Sequence, residues 1–315
     1  MGGTIAATAA RGGAGYVAGV LPISRLLPDV QGWLRVDGEQ VCNTGSQAVT
    51  YADWFRLADR VQHLVDGAAV DGIVVTHGTD TLEETAYFLD LVVHGEVPVV
   101  LTGAMRPAHA AGADGMANLR AALAVAAAPR AAGRGVLVVM NEQAHEAWDV
   151  QKMATTGVHA FASPNCGPVG WVRGRDVGFF HAPSPRPLRV AGLSTLPAQA
   201  ARVLVLYAHG DLDPSVARAF VDLAPDGIVL AGVGDGNASE EVLAVLSEAA
   251  ASGVTIVRAS RTGSGRVIRN VEIDDDGRGF LVANYLSPQK ARILLMLALT
   301  QTRDRAVLQR CFMLD

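Results

Sequence analysis

The chain has 315 residues, 50% of them hydrophobic and only 18% charged. That is enough apolar material for a well-cored globular protein of about two domains, and it excludes large-scale disorder. The 31 acidic residues outnumber the 26 basic ones, for a net charge of -5. No lysine or arginine cluster is long enough to track phosphates, so nucleic acid is not an expected partner. No apolar run reaches the roughly 18 residues of a membrane helix, and the N-terminus lacks the basic-then-apolar order of a signal peptide. Membrane association is therefore not expected, and the location expected of the chain as it stands is cytoplasmic; a lost upstream signal peptide would make it periplasmic.

The chain opens on Gly2-Gly-Thr-Ile5, where glycines let the backbone bend closely around a ligand beside Thr4. Tyr16 follows in Gly15-Tyr-Val-Ala-Gly19, a loop tyrosine that either packs or polarises a neighbouring group. Beyond the polar turn Thr44-Gly-Ser-Gln47, an amphipathic pattern predicts a helix over 51–65. Short runs rich in Val, Ile and Leu then predict strands at 72–76, 97–102 and 135–140, separated by helices at 81–93 and 115–127. The alanine-rich stretch 121–128 has Leu and Val at helical spacing and reads as core-facing helix rather than low complexity. Prolines at 183, 185 and 187 remove backbone donors and mark a surface linker over 183–200. After it come strands at 203–207, 227–231 and 254–259, helices at 214–223 and 239–251, and a last helix at 288–302. Strands apolar on both faces and alternating with helices imply parallel sheets. The expected fold is α/β: a larger N-terminal domain (1–182), doubly wound with a mostly parallel sheet, and a smaller C-terminal α/β domain (201–315).

In open α/β sheets ligands bind beyond the carboxyl ends of the strands. Small polar residues recur there: Thr4, Ser46 and Gln47, then His77-Gly-Thr-Asp-Thr81, Thr102-Gly-Ala-Met-Arg-Pro107 and Gly232-Val-Gly-Asp-Gly-Asn237. Any one such turn serves equally well as a helix cap, whereas several converging turns make a site. A threonine hydroxyl is a feeble nucleophile until a neighbouring base takes its proton. Lys152 and Asp80 are candidates for that role, although Lys152 also reads as a solvated loop residue. His77 either supports the turn by hydrogen bonding or takes part in chemistry, and Glu272 lies in an acidic stretch that is otherwise a solvated turn. Gly232-Val-Gly-Asp-Gly lacks the Gly-x-Gly-x-x-Gly spacing of a dinucleotide loop. Cys42, Cys166 and Cys311 have neither disulfide-framework nor metal-ligand spacing. No metal and no organic cofactor are expected.

Taken in order, Gly2-Gly-Thr-Ile5, Gly45-Ser-Gln47, the run from Thr76 to Asp90, Thr102-Gly-Ala-Met-Arg-Pro107, Ala113-Asp-Gly115 with Asn118, Gly135-Val-Leu-Val-Val-Met-Asn141 and Pro288-Gln-Lys-Ala-Arg292 resemble the bacterial L-asparaginases, specifically the type II asparaginase and glutaminase-asparaginase group. The likeness covers nearly the whole chain. It implies cofactor-free hydrolysis of L-asparagine to L-aspartate and ammonia, with some L-glutaminase activity. Thr4 would be the nucleophile, assisted by Tyr16 and Glu272, while Thr79, Asp80 and Lys152 would activate a hydroxyl or the hydrolytic water. Ser46, Gln47, Thr79, Asp80, Asn237 and Glu272 would bind the substrate's ammonium and carboxylate, and the Ala104 carbonyl would meet the amide nitrogen. A backbone N–H in the Gly78-Thr79 turn is suited to the developing oxyanion. The resemblance also implies a homotetramer, a dimer of dimers in which Asn237 and Glu272 reach a neighbouring subunit's site.

The family places an apolar strand before Gly-Gly-Thr, and here Met1 stands in its place. That predicts a missing central strand, a frayed Thr4 and poor activity, or even a non-catalytic amino-acid-binding homologue. Gly67 and Gly95 stand where exported relatives often carry cysteines, which is compatible with a reducing compartment. Asp235 replaces an asparagine of many relatives, and this is expected to alter the contact at Asn237.

Overall fold

A computed structural model of the chain describes residues 1–9, 16–17, 19–28, 30, 32–183 and 199–313. It divides into two compact units, Met1–Ser184 and Pro185–Asp315. Of the linker expected at 183–200, residues 184–198 lie outside the described residues.

The first unit begins with a 3-10 turn, Thr4–Ala6, and an antiparallel pair, β1 (Thr8–Ala9) with β2 (Tyr16–Val17). Helix α1 (Tyr51–Asp66) starts where Thr50 and Asp53 form a capping box, each side chain accepting the other's backbone N–H. Its apolar stripe buries Trp54, Leu57, Ala58 and Val61. Strand β3 (Ile73–Thr76), helix α2 (Leu82–Val92), strand β4 (Val99–Thr102), helix α3 (Gly115–Ala126) and strand β5 (Val136–Met140) follow. The three strands lie side by side in parallel, and β4 and β5 are buried at every position, as their unbroken apolar runs require.

Beyond β5 the sheet continues antiparallel, an extension that apolar periodicity does not reveal. Asn141 and Glu142, both at positive φ (50° and 63°), turn the chain into β6 (Gln143–Glu146). Two such residues make the tight turn that hairpins favour, normally written Asn-Gly, and glutamate in the second place conceals it. A small pair, β7 (Gln151–Lys152) with β8 (Phe161–Ala162), precedes β9 (Gly170–Arg173) and β10 (Asp176–Phe179), giving the sheet order β10-β9-β6-β5-β4-β3. Among the described residues no strand flanks the outer side of β3.

The second unit is a parallel sheet, β11-β12-β13-β14. Its elements are β11 (Val203–Tyr207), α4 (Pro214–Asp222), β12 (Gly227–Gly232), α5 (Glu240–Ala251), β13 (Thr255–Ser260), α6 (Asp275–Arg278), β14 (Leu281–Val282), α7 (Pro288–Ala298) and α8 (Arg305–Cys311). Leu206, Ile228, Leu230 and Ile256 of the sheet pack with Ala217, Val242 and Leu246 of α4 and α5. Helix α7 stops short of the expected 302, where the Thr300 hydroxyl turns back to donate to the Leu297 carbonyl at 2.6 Å. The chain is thus an α/β protein with a larger N-terminal and a smaller C-terminal domain.

Leu137 is completely buried in β5, within the cluster that joins β4, β5 and α3. Leu137→Ala is expected to cost about 2–5 kcal/mol, read as a lower urea midpoint for the first unit's unfolding.

Candidate active site

Thr76 of β3 pairs with Thr102 of β4, and the His77 N–H donates to the Thr102 carbonyl at 2.8 Å. The turns after the two strands therefore leave the sheet at the same level. A Cβ on Gly103 would lie 2.6 Å from the His77 carbonyl and 3.2 Å from Thr79 Cγ2, so Ala104's turn lies directly against Thr79's. Gly3 (φ 86°) meets the same place from the N-terminal segment: a Cβ there would fall 2.2 Å from Gly78 Cα. Only a glycine permits that approach and that φ, and it puts Thr4 beside the 77–81 turn.

Thr4 is 8% exposed and is not frayed. Met1 is buried, its carbonyl accepts the Thr44 N–H at 3.2 Å, and Gly2 bridges Thr44 in parallel. The Gly19 N–H donates to the Gly3 carbonyl, which ties the segment after β2, Tyr16's strand, to the Thr4 loop. Ser46 is buried against the turn from a third side: its Oγ accepts the Asp80 N–H at 3.2 Å and its carbonyl accepts the Thr81 hydroxyl at 2.8 Å. Gln47 is exposed beside it.

Lys152 of β7 supplies the charge. Its Nζ lies 3.0 Å from Thr79 Oγ1 and 2.6 Å from Asp80 Oδ1. The lysine side chain is 17% exposed and the aspartate 62%, so the ammonium is sheltered while the carboxylate faces outward. Glu83, buried in the first turn of α2, holds the strand in place by accepting the Lys152 N–H at 2.5 Å. Asp114 accepts the N–H groups of Met105 and Arg106, and Asn118 donates to the Gly103 carbonyl and accepts from the Asn141 N–H, so both shape the Ala104 turn. Neither Glu83 nor Asp114 was expected to support the site. An acid in a first helical turn, as Glu83 is, or at an N-cap, as Asp114 is, reads as a routine helix feature, and only its tertiary partner shows otherwise.

Asn237 and Glu272, in the second unit, are brought to each other: Asn237 Nδ2 donates to Glu272 Oε2 at 3.1 Å. Among the described residues no group of three or more His, Cys, Asp or Glu side chains is placed to hold a metal ion. Likewise, no described helix is long and apolar enough to cross a membrane.

The asparaginase N-terminal family model matches residues 1–185, and the glutaminase/asparaginase C-terminal domain model matches 202–312. The chain belongs to the asparaginase family. It is 42% identical to the probable periplasmic L-asparaginase of Haemophilus influenzae over 99% of this chain and 90% of that protein. It is also 42% identical to L-asparaginase 2 of Escherichia coli over 94% and 86%, and 40% identical to the glutaminase-asparaginase of Pseudomonas fluorescens over 99% and 88%.

His77 lies behind the turn, fully buried. Its Nδ1 faces the Gly78 carbonyl at 2.7 Å and its Nε2 the Thr85 hydroxyl at 2.9 Å, while the Trp54 indole N–H donates to that hydroxyl at 2.7 Å. Because a carbonyl only accepts, Nδ1 carries the proton and Nε2 accepts from Thr85. Burial lowers the His77 pKa from 6.5 to about 4. A base whose folded pKa lies below its unfolded one weakens folding as protons become available. Stability is intact above pH 6.5 and falls as the pH drops from 6.5 toward 4, by up to about 3 kcal/mol from this group. Denaturant unfolding at pH 7.5 and 4.5 is expected to show this loss, and His77→Asn, which keeps a donor for the Gly78 carbonyl, is expected to show a shallower one. Equal slopes would mean that His77 does not titrate as described.

Proposed function

We propose that the chain is an L-asparagine amidohydrolase that releases L-aspartate and ammonia, with some activity on L-glutamine. The observation that carries the reading is the Lys152 ammonium held between Thr79 Oγ1 and Asp80 Oδ1 beside the Thr4 loop. The names of the relatives, L-asparaginase and glutaminase-asparaginase, support the substrate class.

In this reading the Thr4 hydroxyl attacks the side-chain amide carbon, with Tyr16 and Glu272 assisting loss of its proton. The carbonyl oxygen becomes an oxyanion, which needs donors already aimed at it. Among the described residues the Thr79 backbone N–H has no intramolecular acceptor, and it belongs to the peptide whose carbonyl accepts from His77, an arrangement that strengthens it as a donor. Collapse of the tetrahedral species breaks the C–N bond, and ammonia leaves with the proton. Water activated at Thr79, Asp80 and Lys152 then hydrolyses the Thr4 ester, giving aspartate and restoring the hydroxyl. The Ala104 carbonyl accepts from the substrate amide, while Ser46, Gln47 and Asp80 take up its carboxylate and ammonium.

Asn237 and Glu272 complete the ammonium site of a neighbouring copy in a homotetramer built as a dimer of dimers. Ile268 and Val271, 46% and 65% exposed on Glu272's loop, support this, since apolar side chains flanking a ligand-binding acid are well suited to an interface.

Purified protein is expected to release ammonia from asparagine, and Thr4→Ala, Thr79→Ala and Lys152→Met each to lower kcat by at least about 100-fold. A folded parent that binds asparagine without releasing ammonia would make the chain a binding homologue instead. Thr4→Ala and Glu272→Ala chains, each inactive alone, are expected to regain activity when denatured and refolded together, because a mixed dimer contains one site with neither substitution. No recovery would show that Glu272 acts within its own chain.

A further inference from the structure

Strand β13 carries an arginine where a covered parallel strand calls for an aliphatic residue. Arg258 is 0% exposed and in register with Leu230 of β12 and Val282 of β14. Its guanidinium grips Asp275, also 0% exposed, with Nε 2.6 Å from Oδ1 and Nη2 2.8 Å from Oδ2. The remaining N–H groups donate to backbone: Nη1 to the carbonyls of Asp235 (2.7 Å) and Gly236 (3.3 Å), Nη2 to that of Ile268 (3.3 Å). Every donor of the fork is used. Asp275 Oδ2 also accepts the Asn270 N–H at 2.9 Å.

A buried ion pair is an inefficient stabiliser, because desolvation offsets most of the attraction and apolar residues of similar volume often serve as well. Fold stability alone therefore does not call for it here. What the pair accomplishes is to join two loops. Residues 233–237 form a turn closed by reciprocal backbone bonds of 2.8 Å between Val233 and Asn237, and residues 268–274 contain Glu272. Asp235 adds a second tie, its Oδ1 accepting the Ile268 N–H at 2.9 Å. The side chains that emerge from these loops are Asn237 and Glu272, 3.1 Å apart.

We infer that Arg258, with Asp275 as its counter-ion, is a positioning residue that sets the spacing of Asn237 and Glu272 and through them the affinity for the substrate's α-ammonium. This rests on the proposed role of Asn237 and Glu272 in substrate binding. A fork is needed rather than a charge: the acceptors are spread over three nitrogens, which a lysine's single ammonium cannot reach at once.

Arg258→Lys is expected to lower kcat/KM for asparagine at least about 10-fold, through KM because Asn237 and Glu272 meet the ammonium and through kcat because Glu272 also assists Thr4. In a Glu272→Gln background the same substitution is expected to add less than about 3-fold, because the contact it positions is already lost. Multiplicative effects would mark a general structural defect and overturn the proposal. Hydrogen exchange gives a readout independent of turnover: amides of 233–237 and 268–274 are expected to exchange at least 10-fold faster in Arg258→Lys, with β11 and β12 unchanged. Unchanged loops, or faster exchange throughout the unit, would overturn the proposal even if the parent released no ammonia, an outcome that by itself removes only the assigned reaction. Should Arg258→Lys not fold, Asp235→Ala carries the test at a partly exposed position, with a KM rise of about 3-fold and faster exchange at Ile268; parent-like values for both would overturn it.

Discussion

The in-register pairing of β3 with β4 is the constraint on which the first unit's chemistry depends. Thr76 opposite Thr102 makes two turns leave the sheet at one level, and the Thr102 hydroxyl, donating to the Val139 carbonyl at 2.8 Å, ties β5 to the same level. A slip of one residue would exchange the two faces of the strand and point Thr76 elsewhere. At this level the backbone is so close that glycines 3, 78 and 103 occupy the points of contact. Closeness of this kind lets hydroxyls, an ammonium and backbone N–H groups from distant segments share a small volume.

Polar groups gathered in that way must satisfy one another. Lys152 is the case in point: sheltered, paired with an outward-facing carboxylate and hydrogen-bonded to a hydroxyl. With the carboxylate 62% exposed, the pair contributes little to folding. Its consequence is orientation, reinforced by Glu83 on the lysine's own backbone. Asp114 and Asn118 do the same for the turn that carries Ala104.

The second unit solves a similar problem with a different device. Two of its strand-end loops are joined by a buried guanidinium that spans carbonyls of both while a carboxylate neutralises it. Placing the charge inside a strand, among Leu230 and Val282, gives it a rigid base, which an exposed loop arginine would lack.

Local pattern determined a good deal by itself. Apolar runs located β3, β4, β5, β11, β12 and β13 to within two residues at each end, because buried parallel strands need unbroken Val, Ile and Leu. Amphipathic spacing located α1 to α5 and the start of α7 but not the short α6 and α8, and Thr79 and Asp80 were legible as strand-end polar residues. The antiparallel β6, β9 and β10 were not, since these four-residue strands carry no unbroken apolar run and the Asn-Glu turn into β6 lacks the usual glycine. Lys152, 72 residues from Asp80, was a candidate base that local pattern alone left open to a solvated-loop reading, and Arg258 gave no sign at all. A side chain's partner far along the chain is set by register, crossover and close backbone approach, which no local window contains. Sequence alone thus determined where the elements lie and which residue types end them; tertiary structure decided which charges meet, because only packing brings residues from separate strands within hydrogen-bonding distance.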